Sequence, residues 1–125
     1  MNIDREFEAI SEYWSPRVVA DANGQFVKIA KVKGELVWHS HAEEDEFFLV
    51  RKGTFVIRYR DGQDVRLGEG DFHVVRHGVE HMTAAPEECW LIIVEPARTK
   101  HTGDIVTEKT RSIEEQIGHL HPWGA

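Results

Sequence analysis

A single cysteine, Cys89, gives the chain no partner for an intramolecular disulfide, argues against an all-thiolate metal site and suits a reducing compartment. Basic residues are also scarce. Fifteen Lys and Arg against 22 Asp and Glu leave a formal charge of -7, and no Lys/Arg run is clustered. Nucleic-acid backbones and anionic membranes need positive surface, so no nucleic acid and no membrane are expected as partners. The longest apolar run, Cys89 to Val94, is far too short to span a bilayer. The acidic start of the chain lacks the apolar core of a secretory signal, and a cytoplasmic location is the resulting expectation. No Gly-rich phosphate loop, serine nucleophile elbow or paired-cysteine motif is present.

What remains is a chain of 125 residues, 41% apolar, which fits one globular domain with a modest core. Phe7, Ile10 and Trp14 fall at helical spacing, so a short N-terminal helix over 5–14 is predicted, ended by Pro16. The stretch from there to about residue 95 reads as short strands rich in Val, Ile, Phe and Tyr: 26–32, 46–50, 55–59, 72–75 and 90–94. Asn23-Gly24 and Asp61-Gly62 are two-residue hairpin signals, and Gly68 to Asp71 marks another reversal. No helical crossover separates these strands, which favours an antiparallel sandwich or barrel over an α/β fold. Strand 26–32 lacks alternation and reads as partly covered on both faces. Ser112 and Glu115 form a capping box before Ile113 and Ile117, predicting a C-terminal helix that closes against the barrel or a partner subunit.

The chemistry is concentrated at His39, His41, Glu46 and His81. On an extended segment, His39 and His41 project to the same face. A bend over 42–45 returns Glu46 toward them, and His81 comes from a neighbouring strand. Glu43 and Glu44 read as a solvated acidic loop. Glu46 differs because it heads the apolar run Phe47 to Val50, where an unpaired inward carboxylate is costly. Imidazoles with a carboxylate suit Fe, Mn, Ni, Zn or Cu without selecting one.

The same residues carry a family resemblance. Gly34, four residues, His39-x-His41, four residues, Glu46, six residues and Gly53 resemble the first motif of the cupin superfamily, although five residues usually precede the histidines. Gly70, Gly78 and His81 resemble the second motif, with Arg76 in its proline position and Ala85 in its asparagine position. The resemblance spans about residues 20 to 95. It implies an all-β, cupin-type antiparallel β-barrel (jelly roll) with short N- and C-terminal helical segments. In domain terms, 1–125 is a single cupin domain with its barrel core at about 16–96 and a C-terminal extension over 97–125. The implied metal ligands are His39, His41, Glu46 and His81, and the implied cofactor is one divalent transition metal (Fe, Mn, Ni or Zn).

Trp38 to His41, Glu95-Pro96 and His101 to Asp104 further resemble the small cupins described as mannose-6-phosphate-isomerase-like, a label of fold rather than reaction. The resemblance implies a metal-dependent enzyme of oxygenase or isomerase type acting on a small-molecule substrate or ligand. Its alternatives are a non-catalytic binding or sensing module and a barrel with a vestigial or structural site. A homodimer is expected, since small cupins pair through their sheet edges. His73, Arg76 and His77 flank the second motif and are the catalytic candidates, as acid, base or anion anchor; exposed turn histidines and a surface ion pair are the bland alternatives. Trp38, Phe48 and Trp90 are candidates for an apolar pocket, with core packing or a subunit seam preferred. His101, His119 and His121 lie outside both motifs and read as tail residues rather than ligands.

Overall fold

The computed structural model describes residues 1–118. Two short helices and seven strands follow one another as α1 (Ile3–Glu8), β1 (Arg17–Ala22), β2 (Gln25–Glu35), β3 (Glu46–Lys52), β4 (Phe55–Tyr59), β5 (Val65–Leu67), β6 (Phe72–Val75), β7 (His81–Pro96) and α2 (Ile113–Ile117). The strand pairings are antiparallel, in the order β1-β2-β7-β3-β6, with β4 joining β7 to β5. The chain is an all-β jelly-roll barrel. β7 is its organising strand: residues 81–84 pair with β4, whereas its C-terminal half lies between β2 and β3.

The lack of alternation in β2 has a clear cause. Lys28, Ile29 and Ala30 are all buried because the strand serves two cores. Ala30 and Val32 face the barrel interior with Phe48, Phe55, Ile57 and Leu91. Ile29 faces outward into a second cluster with Phe7, Ile10, Val19 and Trp90, beneath α1. Phe7 stacks on Trp90 at 4.8 Å between ring centroids. β3 does alternate, with Glu46, Phe48 and Val50 buried on one face, so its pleat carries Glu46 inward.

Three expectations need correction. The N-terminal helix ends at Glu8, not near Trp14. Trp14 has φ 57; its backbone N–H donates to Lys31 and its indole N–H to Lys33, so tertiary hydrogen bonds override the helical spacing. Asn23 (φ 52) and Gly24 (φ 76) have the backbone of the expected hairpin turn, but Asp61 does not take a positive φ. There, Gly62 N–H donates to the Tyr59 carbonyl and a longer connection leads to β5. β1 and β5 lie outside the strands expected from sequence, as does the first half of β7.

The C-terminal extension folds back onto the barrel. The capping box at Ser112 and Glu115 is present, and Gln116 of α2 is buried. Its side-chain oxygen accepts from Lys28 Nζ at 2.6 Å, and Lys28 also pairs with Glu95 at 2.6 Å. Lys28 is only 1% exposed, so its charge relies on these two partners. Replacing one member of a buried ion pair strands the other. Lys28→Met is therefore expected to lower the urea unfolding free energy by about 3–5 kcal/mol; a loss below about 1 kcal/mol contradicts this reading.

Candidate metal centre

The four candidate ligands are assembled by a loop and two strands. Glu46 opens β3 and His81 opens β7. His39 lies beyond the end of β2, on an extended segment rather than within a strand, and forms an isolated antiparallel bridge with His81. Each backbone N–H donates to the other's carbonyl at 2.9 Å. His41 follows, its carbonyl accepting from Gly78 N–H at 2.7 Å. The 42–45 link bends as anticipated, but Glu44 is not freely solvated: its side chain is 14% exposed and pairs with Arg98.

One ligand atom from each of His39, His41, Glu46 and His81 lies within 4.8 Å of every other, and all four residues are buried. Glu46 Oε1 sits 3.0 Å from His41 Nε2 and 3.3 Å from His81 Nε2. These close approaches are not hydrogen bonds in proper geometry: His41 Nε2, His81 Nε2 and Glu46 Oε1 are all buried without a partner among the described residues. Such orphaned atoms are expensive unless something else satisfies them. His39 donates its Nδ1–H to the Val37 carbonyl at 2.7 Å, and His81 donates to Val79 at 3.0 Å. Both contacts reach back two residues, and both fix the tautomer that leaves Nε2 as a lone-pair donor. Three imidazoles and one carboxylate therefore fit a divalent transition metal.

The surrounding charges are graded. Burial pushes the His39 imidazole down to about 4. For Glu46, burial favours the neutral acid, but His41 and His81 outweigh it and hold the carboxyl well below its ordinary range. Burial likewise opposes protonation of His81, whereas Glu46 raises its pKa on balance. Burial and the neighbouring Glu46 charge push Glu95 well above the usual carboxylate range. Lys28, paired with Glu95 at 2.6 Å, pulls the other way and favours the carboxylate.

A cavity of about 40 Å³ opens beside the centre. His39 and Glu46 line it, together with Thr83, Glu95, His101 and an apolar wall that includes Phe48, Phe55, Leu91 and Ile93. Of the aromatic pocket candidates, only Phe48 lines this space. Trp90 packs under Phe7, and Trp38 lies beneath the Arg60 guanidinium at 3.9 Å.

His73, Arg76 and His77 do not line the cavity either. His73 Nε2 meets the Tyr59 hydroxyl at 2.8 Å. Arg76 pairs with Asp45 at 3.2 Å while largely exposed, and the His77 ring contacts the same carboxylate at 3.0 Å. The residue missed was His101, read from sequence as tail. Its Nδ1 accepts the Arg111 backbone N–H at 3.0 Å. Gly103 (φ 60) holds the turn next to it: an added Cβ would collide with the Ser40 carbonyl, so only glycine lets the tail lie against the His39–His41 segment. His119 and His121 lie outside the described residues.

Burial also pushes His101 down to about 4. An imidazole whose folded pKa lies below its unfolded value of about 6.5 stabilises the metal-free fold least in acid, because the unfolded chain takes the proton first. The contribution is fully present above about pH 6.5 and falls away toward pH 4, by up to roughly 3 kcal/mol. Urea unfolding of chelator-treated protein at pH 7 and 4.5 should show a shallower acid loss for His101→Gln than for wild type; parallel losses contradict it.

Comparison with known proteins places this geometry in a family. Residues 26–95 match the Cupin_2 model, described as a cupin domain. A cupin-2 domain containing protein from Shewanella frigidimarina is 45% identical in sequence; the alignment covers 77% of this chain and 93% of that one, with a TM-score of 0.75. Protein NMB1881 from Neisseria meningitidis is 27% identical over 77% of this chain and 97% of its own, with a TM-score of 0.72. Among curated proteins, the uncharacterized protein YdbB of Bacillus subtilis (strain 168) is 31% identical over 65 residues, 52% of this chain. The match spans 58% of YdbB's length. With the barrel and both ligand motifs in place, the chain belongs to the cupin family.

Proposed function

We propose that this chain is a metal-dependent cupin enzyme in which His39, His41, Glu46 and His81 hold one divalent transition metal and a small organic substrate reaches it through the adjoining cavity. The observation that carries this reading is the buried, convergent set of ligand atoms lacking hydrogen-bond partners. Four protein ligands leave about two positions free on a six-coordinate ion, enough for water, dioxygen or a bidentate substrate. The metal supplies Lewis-acid polarisation or, if redox-active, oxygen chemistry.

The protein's own contribution is to hold the ligands in register. The Val37 and Val79 carbonyls set the ring tautomers, and the apolar wall limits water around the centre. The cavity supports an oxygenase type of reaction over turnover of a sugar phosphate. It is small and mostly apolar, and among the described residues neither lysine nor arginine lines it to anchor a phosphate.

The test is elemental analysis of untagged protein purified without oxygen. About one equivalent of a transition metal is expected for wild type, with loss on Glu46→Gln or His81→Ala. Failure to retain or take up any transition metal overturns the proposal. Recovered iron that consumes oxygen with diketones, phenols or thiols supports the oxygenase type; bound metal with ligand binding and no turnover identifies a sensing module instead.

A further inference from the structure

His101 is, with Glu95, a polar group of the cavity that belongs to neither cupin motif, and its hydrogen bonding defines what it offers a ligand. The Arg111 backbone N–H can only donate, so the ring nitrogen it meets, Nδ1, must be unprotonated. The neutral ring then carries its proton on Nε2, which makes no hydrogen bond to another described residue. Burial disfavours a second proton on the ring, in keeping with this tautomer. The ring is held in place by more than that contact. Gly103 presses on Ser40, and the Thr102 hydroxyl bonds Thr110 and the Ile105 carbonyl, so the tail is fixed against the segment that carries His39 and His41.

We propose that His101 is a ligand-binding residue of the metal centre, its Nε2–H donating a hydrogen bond to an acceptor atom of the molecule held by the metal. This rests on the metal-centre reading above. The cavity shared by His101, His39 and Glu46 measures about 40 Å³. At about 10–15 Å³ for each water-sized occupant, it admits only a few non-hydrogen atoms. The fitting class is therefore a compact oxygen- or nitrogen-bearing ligand, or the carbonyl or carboxylate end of a larger one. His101 orients it through one neutral donor, while the apolar wall including Phe48, Leu91 and Ile93 contacts the rest.

Azide bound to the Co(II)-loaded protein, followed by visible absorption, tests this. Replacing the ring by leucine removes the donor, whereas glutamine can accept from Arg111 and still donate an amide N–H. His101→Leu is expected to weaken azide binding about tenfold or more, and His101→Gln by no more than about threefold, with Co(II) affinity unchanged in both. Azide affinity unaltered in His101→Leu overturns the inference. Equal losses in the two variants, or loss of Co(II) itself, overturn it too, by showing a packing role. Failure of wild type to bind Co(II) instead removes the metal-centre reading on which it rests. If His101→Leu does not fold, ¹⁵N-histidine spectra of Zn(II)-loaded wild type decide: the His101 Nε2 resonance must move on azide addition, and an unmoved resonance overturns the inference.

Discussion

Two reciprocal backbone hydrogen bonds between His39 and His81 bring together parts of the chain that are far apart in sequence, and the centre depends on them. They tie the segment after β2 to the first residue of β7, so both imidazoles enter the same space. The remaining placements follow from that anchor. Each ring is turned by a carbonyl two residues behind it, and the pleat of β3 delivers Glu46 from the other side. The burial of His39, His41, Glu46 and His81 makes the arrangement costly without a shared partner, which is the physical case for a metal.

A second layer of polar contacts reaches from this centre to the C-terminal extension. Gln116 of α2 accepts from Lys28, Lys28 pairs with Glu95, and Glu95 lines the same cavity as Glu46. The same extension supplies His101 and presses Gly103 against Ser40. The tail is thus part of the site's construction as well as a cover for the barrel. A change at α2 therefore reaches Glu95, on the wall of the cavity, through Lys28.

The sequence made the ligand set legible for particular reasons. A histidine pair at strand spacing, an acid heading an apolar run and glycines at motif positions are local patterns that survive folding. β2's missing alternation was also informative, since its two faces serve two cores. Trp14 misled because helical spacing cannot reveal hydrogen bonds to Lys31 and Lys33 that hold it at positive φ. His101 was illegible for a related reason. Its place depends on a tail that folds back, on a glycine contact with Ser40 and on one backbone N–H from Arg111, none of which leaves a periodic trace.

The most direct test of the central claim is anomalous diffraction from crystals of the protein loaded with zinc or cobalt, measured at the metal's absorption edge. The account predicts one dominant peak within bonding distance, about 2.0–2.2 Å, of Nε2 of His39 and His81, a ring nitrogen of His41 and a carboxylate oxygen of Glu46. A peak confined to exposed acidic residues, or a metal bound without Glu46 or one of the three histidines, would contradict it.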